Sequence, residues 1–232
     1  AETIGGGVIM TDIQRRLTDI QAQLPTDVKL VAVSKYHPAE AIEQAYISGA
    51  RLFGESRAQE LVVKHQVLAE DIEWHFIGHL QPNKVKYIAP FVSLIHAVDS
   101  LKLLREIDKQ AHRCDRIIPC LLQLHVAEEE TKFGLTLSEC HELLSGGEWR
   151  DLHHVQIVGL MCMATNTDDE NRIRHDFRMA YDFYRKVKQE FFNDTVAFRF
   201  RSWGMSGDFQ IAIEEGSNMV RIGSSIFGDR SY

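Results

Sequence analysis

The fold can be worked out from one stretch, Leu30-Val31-Ala32-Val33-Ser34-Lys35-Tyr36-His37-Pro38. Its four leading apolar residues predict a buried β-strand. Pro38 then opens a helical pattern, because the first turn of a helix does not use the N–H that proline lacks. The stretch therefore predicts a buried strand whose carboxyl end meets the start of a helix, with Lys35 at the junction.

Lys35 is the first candidate functional residue. In parallel α/β folds, active sites are built at the carboxyl ends of the strands. Partial desolvation at such a position favours the neutral amine, which is the form of lysine that makes Schiff bases. The alternative is a lysine that simply ends a strand and points to water, as is usual for lysine.

The rest of the chain repeats this alternation of apolar strand and helix. We predict strands at 29–34, 51–54, 74–77, 92–97, 120–126, 155–163, 198–203 and 219–222. We predict helices at 11–24, 38–48, 57–69, 82–87, 101–114, 138–144, 168–190 and 208–215. Strands that alternate with helices pair in parallel through right-handed crossovers. In a chain of 232 residues, eight such units predict an α/β fold made of a single (β/α)8 TIM barrel.

The alternative architecture is an open, doubly wound sheet. It is disfavoured because no GxGxxG motif follows the first strand and no point of reversed strand order is evident. No linker or repeat divides the chain, so residues 10–232 are predicted to form one barrel domain. Residues 1–9, which include Gly5-Gly6-Gly7, are predicted to be a flexible lead-in.

Composition narrows the class of protein. The net charge of -7 and a pI of about 5.9 imply no basic face for nucleic acid. No apolar run approaches the roughly 20 residues that cross a bilayer. The four cysteines form no CxxC pair, which is typical of reduced thiols in the cytoplasm. We therefore expect a cytoplasmic protein that binds neither nucleic acid nor membrane and holds no metal.

Two loops at the predicted mouth of the barrel combine backbone N–H groups with hydroxyls. They are Ser206-Gly207, after the seventh strand, and Gly223-Ser224-Ser225, after the eighth. TIM barrels frequently bind a phosphate between these loops, and exposed N–H groups bind anions. With Lys35 at the same mouth, the pattern predicts an aldehyde that carries a phosphate, either pyridoxal 5′-phosphate (PLP) or a sugar phosphate. Taken singly, the Gly-Ser pairs are more often ordinary turns.

Other polar residues near the mouth have simpler interpretations. His75 and His79 lie four residues apart and could form a metal pair, but no carboxylate or cysteine set completes a site. Glu55 and Asp99 are candidate acid–base groups, and Asp99 is equally well placed to cap a helix. The remaining mouth residues are Arg57, Lys84, Lys132, Met161 and Met163.

Five blocks of the sequence together form a family pattern. They are Val31-Ala32-Val33-Ser34-Lys35, Phe53-Gly54-Glu55-Ser56-Arg57-Ala58-Gln59-Glu60, Trp74-His75-Phe76-Ile77-Gly78-His79-Leu80-Gln81-Pro82-Asn83-Lys84, Gly204-Met205-Ser206-Gly207-Asp208 and Gly216-Ser217-Asn218-Met219-Val220-Arg221-Ile222-Gly223-Ser224-Ser225-Ile226-Phe227-Gly228. In these blocks the chain resembles the pyridoxal phosphate homeostasis proteins, a family whose fold is similar to the N-terminal barrel of alanine racemase. The blocks occur in the family's order and span essentially all of 10–228. The resemblance implies the barrel fold and PLP as cofactor.

The resemblance also implies a role for each matching residue. Lys35 would hold PLP covalently as an internal aldimine. Arg221 would face the pyridine nitrogen, as the matching arginine does in the racemase. The phosphate would be bound by Ser206, Gly223 and Ser224, and the pocket would be lined by His79, Asn83 and Met205.

Two positions depart from the family pattern. The family usually has Asn where this chain has Ser56, and Ser or Thr where it has Asn218. Ser56, still a candidate cofactor-binding residue, offers a hydroxyl in place of an amide, so a polar contact is lost or bridged by water. Asn218 precedes the last strand, and its change could concern only a turn.

The arginine also bears on activity. Arg221 stays protonated, so it keeps the pyridine nitrogen unprotonated and makes the ring a weaker electron sink. The racemase adds a tyrosine base from a separate domain of its partner subunit, whereas this sequence ends at Tyr232 without one. We therefore expect a non-catalytic monomer that carries or buffers PLP, with PLP-dependent client enzymes as candidate partners. The alternatives are a racemase, which predicts proton exchange at the substrate α-carbon, and an aldolase-type barrel acting on a sugar phosphate through Lys35.

Overall fold

A computed structural model shows a closed barrel of parallel strands, which confirms the predicted (β/α)8 fold. It describes residues 3–4, 8–130 and 133–229. The barrel strands follow one another in chain order, and the last pairs with the first, with Arg221 opposite Val31. After β1 (Thr3–Ile4) and β2 (Val8–Ile9), the barrel strands are β3 (Lys29–Val33), β4 (Leu52–Glu55), β5 (Glu73–Phe76), β6 (Leu94–Val98), β7 (Ile118–Gln123), β8 (Val155–Met161), β9 (Phe200–Ser202) and β10 (Met219–Ile222).

The strands β1 and β2 form a small sheet that is separate from the barrel sheet. β1 pairs antiparallel with β2, and neither joins a barrel strand. Gly5-Gly6-Gly7, on which the predicted lead-in rests, lie outside the described residues. The division at residue 10 between lead-in and barrel domain therefore stays a prediction.

Helices cover the outside of the barrel. The first begins with a capping box, in which the Thr11 hydroxyl accepts from the Gln14 N–H and the Gln14 side chain accepts from the Thr11 N–H. A short helix also follows the last barrel strand, where none was predicted. The helices are α1 (Asp12–Ala22), α2 (Ala39–Ile47), α3 (Ala58–Val67), α4 (Val85–Ile88), α5 (Leu101–Arg113), α6 (Leu137–Gly146), α7 (Glu170–Phe191), α8 (Phe209–Glu214) and α9 (Ser224–Phe227).

The predicted bounds are wrong at the fifth barrel strand. The sequence indicated a strand over 120–126 with Pro119 before it, whereas Pro119 is the second residue of β7, opposite Gln156 of β8. A residue without an N–H removes only one hydrogen bond from the ladder. The strand ends at Gln123 because the chain then turns to pair with Leu135, whose N–H donates to the Gln123 carbonyl.

Side chains alternate between the barrel interior and the layer beneath the helices. Val31 and Met219 pack with other apolar residues inside the barrel. Their neighbours Ala32 and Val220 belong to the larger core between strands and helices. Because the side-chain period of a strand is two, Arg221 shares the interior face with Met219.

All four cysteines are free thiols in the structure. Cys120, Cys140 and Cys162 are buried, and burial raises the pKa of Cys140 to about 12. Among the described residues, no helix has the length and apolar character needed to span a membrane.

Candidate functional site

The carboxyl ends of the barrel strands enclose a cavity of about 890 Å³. The cavity brings together the candidate lysine, the candidate arginine and both Gly-Ser loops. All but one of the residues predicted to bind a cofactor line it, namely Lys35, Ser56, His79, Met205, Ser206, Arg221, Gly223 and Ser224.

Asn83 is the exception. It lies in a 3-10 turn, Pro82–Lys84, where its side chain is exposed, and it is not among the described residues that line the cavity. The turn leads directly into α4, whose Val85 and Ile88 are buried in the outer core. A contact between Asn83 and a cofactor stays a prediction.

Lys35 follows β3 in a backbone that is held on both sides. Before it, the Ser34 N–H donates to the Gly54 carbonyl at 3.0 Å. After it, Tyr36 has a φ of 67°, a left-handed conformation that is unfavourable for a residue other than glycine. The Tyr36 N–H donates to a Glu60 carboxylate oxygen at 2.8 Å, which helps to hold this conformation. The half-buried Lys35 side chain is thus presented to the cavity from a constrained bend.

A group of polar side chains lies behind this bend, between the strands and α3; we call Ser34, Glu55, Glu60 and Lys64 the carboxylate–lysine cluster. Lys64 Nζ donates at 2.9 Å to Glu55 Oε1, to Glu60 Oε2 and to the Ser34 carbonyl. The Ser34 hydroxyl donates to Glu55 Oε2. The ammonium group has three donors, so these acceptors satisfy it fully.

Glu55 is fully buried, and its electrostatics follow from that. Burial raises the pKa of Glu55 to about 7, against the attraction of Lys64 and the hydrogen bond from Ser34. The carboxyl group is turned to α3 and is not among the described residues that line the cavity. Its geometry is that of a structural group, so the acid–base role considered for it has no support here.

Asp99, the other acid–base candidate, also has a structural partner. Its Oδ2 accepts a hydrogen bond from the Gly134 N–H at 3.1 Å, which ties the loop after β6 to the loop after β7. The cap of α5 comes from Ser100, whose hydroxyl accepts from the Leu103 N–H at 3.0 Å. Lys132, in the same loop region as Gly134, lies outside the described residues.

The two Gly-Ser loops are joined to each other across the mouth. The Gly223 N–H donates to Ser206 Oγ at 3.3 Å. The turn that carries Ser206 is closed by Asp208, whose carboxylate accepts from the Met205 N–H at 2.8 Å. A Cβ added at Gly207 would meet no atom within 4 Å, so the backbone there borders open space. The loops therefore offer hydroxyls and accessible backbone to an anion.

Arg221 reaches the cavity from inside the barrel and is only 3% exposed. One terminal nitrogen donates to the Ser202 carbonyl at 2.8 Å and to the Ser202 hydroxyl, and the other donates to the Cys162 carbonyl at 3.0 Å. Burial lowers the pKa of Arg221 to about 10, which leaves it cationic at physiological pH. A fixed positive donor therefore borders the cavity.

Two histidines continue this arrangement into the barrel; we call Arg221, Ser202, His96 and His75 the histidine chain. His96 Nδ1 lies 2.9 Å from Ser202 Oγ, and His96 Nε2 lies 2.8 Å from His75 Nδ1. Both histidines are buried, and burial lowers their pKa values, that of His75 to about 3. Sequence reasoning missed Ser202 and His96. The one available signal was a polar residue inside each apolar strand.

His75 and His79 are not brought together as the pair that a metal would need. His75 is bonded to His96 inside the barrel, whereas His79 is exposed at the mouth and stacks on Phe133 with ring centroids 3.9 Å apart. Phe133, Met163 and Met205 each expose about two-fifths of their surface and line the cavity; we call them the apolar rim.

The two departures from the family pattern have different settings. Ser56 lines the cavity, and a Cβ at the neighbouring Gly78 would come within 2.7 Å of it. Asn218 lies before β10, where its side chain accepts from the Arg201 N–H at 2.7 Å and donates to the Arg199 carbonyl at 2.9 Å. Asn218 therefore connects the last two barrel strands and is more than a turn residue.

The sequence is similar to known proteins over nearly its whole length. Residues 9–231 match the family described as alanine racemase, N-terminal domain. The pyridoxal phosphate homeostasis protein of Aquifex aeolicus is 38% identical over 205 residues, which cover 88% of each chain. That of Schizosaccharomyces pombe is 35% identical over 207 residues, covering 88% of this chain and 85% of the relative.

Solved structures agree with this similarity. PipY of Synechococcus elongatus, solved with PLP bound, is 34% identical and superposes with a TM-score of 0.84 over 93% of this chain and 100% of PipY. The structure of PipY without PLP gives a TM-score of 0.87. An alanine racemase of Clostridium difficile, 15% identical, has a TM-score of 0.78 over 95% of this chain and 57% of the racemase, which shows a shared fold.

Proposed function

This chain belongs to the pyridoxal phosphate homeostasis protein family, and we propose on that premise that it binds PLP at the mouth of its barrel and carries or buffers the cofactor. The observation that carries the proposal is that Lys35, Arg221 and the loops 205–207 and 223–224 line one cavity. PipY, which is similar to this chain, binds PLP.

The cavity suits PLP in size and in the chemistry of its wall. Its volume of about 890 Å³ lies within the range typical of small-molecule sites, which runs from about 300 to about 1,000 Å³. PLP carries an aldehyde, a phosphate and a pyridine nitrogen. The wall offers an amine in Lys35, hydroxyls in Ser206 and Ser224, and a cationic donor in Arg221. Each of the three groups therefore has a partner of suitable chemistry.

Lys35 is the residue that would hold PLP covalently. We propose that its Nζ condenses with the aldehyde, so that a C=N bond forms and one water molecule is released. When bound, PLP supplies a reactive carbonyl and an electron-accepting ring. The hydrogen bonds of Ser34 and Tyr36 hold the backbone on either side of Lys35, which reduces the entropy lost on binding.

The phosphate would lie against the two joined loops. We propose that Ser206 and Ser224 donate hydroxyl hydrogen bonds to it and that the backbone at Gly223 supports them. The open space beside Gly207 allows close approach of an anion to the main chain. His79, Met205 and Ser56 would line the remaining wall.

Arg221 would make bound PLP a weaker electron sink, which disfavours turnover unless further catalytic groups assist. It remains charged, so as a partner of the pyridine nitrogen it donates a hydrogen bond and does not give up its proton. The nitrogen then stays unprotonated, and the ring is a weak electron sink. The exposed apolar rim leaves the mouth accessible for release of the cofactor. We propose a cytoplasmic, monomeric carrier whose clients are PLP-dependent apoenzymes.

The first experiment measures the absorption spectrum of the purified protein with added PLP, before and after borohydride reduction. We expect a visible Schiff-base band in the wild type, fixed to Lys35 by reduction and located there by peptide mass spectrometry. Lys35→Ala should lack the band. Lys84→Ala is the matched control, because Lys84 is a half-buried lysine near the mouth that is not among the described residues lining the cavity.

Each other outcome has a clear meaning. A wild-type protein without a band would overturn PLP binding and favour a barrel that acts on a sugar phosphate. A band that survives in Lys35→Ala would keep PLP but move the covalent bond to another lysine. If the wild type with bound PLP exchanges the α-proton of an amino acid, the protein is a racemase and the carrier proposal is wrong.

A further inference from the structure

The histidine chain is a continuous set of buried polar groups that starts at the cavity and ends inside the barrel. Its members come from four strands: Arg221 from β10, Ser202 from β9, His96 from β6 and His75 from β5. All of them are at most 4% exposed. Interior positions of small barrels are usually filled by apolar side chains, so a polar row there calls for a physical reason.

The direction of each hydrogen bond in the chain follows from Arg221, which only donates, and from the need of each buried polar hydrogen for an acceptor. Arginine only donates, so Ser202 Oγ accepts from Arg221. The Ser202 hydroxyl has one hydrogen, and within the described residues its other partner is His96 Nδ1, 2.9 Å away. That nitrogen is the one acceptor that the described contacts offer to the hydroxyl hydrogen, so Ser202 donates to His96.

The same reasoning carries through both imidazole rings. Because Nδ1 of His96 accepts, the proton of the neutral ring is on Nε2, which donates to His75 Nδ1 at 2.8 Å. His75 in turn carries its proton on Nε2. Burial and nearby positive charge, from Arg221 for His96 and from Lys29 for His75, keep both rings neutral. This arrangement of protons gives each hydrogen bond between the four side chains one donor and one acceptor.

The chain restricts the guanidinium as well. Ser202 takes two hydrogen bonds from one terminal nitrogen of Arg221, through its carbonyl and its hydroxyl, and the Cys162 carbonyl takes one from the other. The remaining N–H groups of Arg221 have no partner among the described residues and belong to a side chain that lines the cavity. These are the groups that a ligand would meet.

We propose that Ser202, His96 and His75 are positioning residues, which orient Arg221 so that its free N–H groups face the pyridine nitrogen of PLP. The proposal rests on the proposed function, since it names the atom that Arg221 addresses. It adds that side chains outside the cavity determine the affinity for PLP. Through the hydrogen bond of Arg221 to the pyridine nitrogen, they also determine the absorption of the bound ring. In metal sites, removing a group that orients a contact residue typically changes affinity or activity by about 10 to about 100-fold, and we expect the lower end of that range here.

The first test needs no cofactor. Histidine-selective ¹⁵N labelling and NMR of the protein without PLP report which ring nitrogen carries the proton. We expect His75 and His96 to be neutral with the proton on Nε2, assigned from the loss of signals in His75→Gln and His96→Gln. A proton on Nδ1 of His96, or a charged ring at about pH 7, would overturn the proposal whether or not PLP binds.

The second test uses PLP titration monitored by absorption and fluorescence. We expect Ser202→Ala to bind PLP about tenfold more weakly and to shift the absorption band. His96→Gln should lie closer to the wild type, because an amide keeps one acceptor and one donor. Cys140→Ala is the matched control, as it deletes a buried polar atom of α6 that is not among the described lining residues.

The results separate the two proposals. If the wild type binds no PLP, the proposed function fails while the proton positions remain measurable. If the wild type binds PLP and a folded Ser202→Ala matches it in affinity and spectrum, the positioning role fails and the proposed function stands. If Ser202→Ala does not fold, judged by circular dichroism, the NMR result for the wild type decides.

Discussion

The carboxylate–lysine cluster and the histidine chain both lie behind the cavity, but they solve the burial of polar groups differently. The first lies outside the barrel wall and balances the charge of Lys64 against Glu55 and Glu60. The second lies inside the wall and contains one charge, that of Arg221, followed by neutral groups. Charge balance supports the backbone of Lys35, whereas directed hydrogen bonds support a side chain.

The two regions also respond to pH in opposite senses. The pKa of Glu55 is raised from 4.5 to about 7, so its contribution to the free energy of unfolding is complete below about pH 4.5 and is lost as the pH rises to about 7. The pKa of His75 is lowered from 6.5 to about 3, so its contribution is complete above about pH 6.5 and is lost as the pH falls. Two equally buried groups can therefore change the free energy of unfolding in opposite directions as the pH rises.

Lys64→Met should give the largest effect, because it leaves the buried Glu55 carboxylate without its cation. At about pH 8, where Glu55 is ionised, we expect a loss of about 3 to 5 kcal/mol in the free energy of unfolding. At about pH 5 the loss should be smaller, since Glu55 is then protonated. Urea denaturation measures both values. Lys186→Met, at an exposed lysine of α7, is the control, and equal losses at both pH values would contradict the charge-balance account.

Glu55→Gln should remove the part of the pH dependence of unfolding that comes from the carboxylate–lysine cluster. Its folded-state pKa exceeds the ordinary value by more than two units, so the stability lost between about pH 4.5 and about pH 7 should shrink by about 3 kcal/mol. The free energy of unfolding, measured across this range for the variant and for the wild type, tests this. The exposed Glu70→Gln should follow the wild-type curve, and a Glu55→Gln curve parallel to it would refute the assignment.

His75→Gln should change the free energy of unfolding at acid pH, by less than the two substitutions above. Between about pH 6.5 and about pH 5, the free energy of unfolding of the wild type falls by about 2 kcal/mol on account of His75. The reason is that His75 is protonated in the unfolded chain and stays neutral in the folded protein. The variant should lack that part of the loss. Thermal unfolding at several pH values measures it, with the exposed His153→Gln as control. An unchanged acid slope would mean that His75 is not the neutral, buried group described above.

The barrel itself could be predicted from sequence because its signal is periodic. Apolar strands alternate with helical patterns along the chain, and only one closed arrangement satisfies eight such units. Lys35 and the Gly-Ser loops were found for a related reason, since the ends of parallel strands meet at one mouth. Pro119 was misplaced because a strand tolerates the loss of one ladder bond, which no local pattern reveals.

The supporting residues could not be predicted because their partners lie far away in the chain. Lys64 belongs to a helix with a weak amphipathic pattern, and its burial depends on carboxylates of β4 and of the same helix. His96 and Ser202 meet only when β6 and β9 face each other across the barrel interior. A single sequence shows which side chains are polar but not which of them will face each other.

The pairing of β10 with β3 makes ligand binding a report on the completion of folding. Lys35 leaves the first barrel strand and Arg221 stands on the last, so the two meet only when the ring is closed. Contacts between such distant segments form slowly, because the chain between them must first be ordered. A nascent or partly opened ring thus lacks the site altogether. A ligand that contacts both strands would favour the closed ring, because it binds that form and not the opened one.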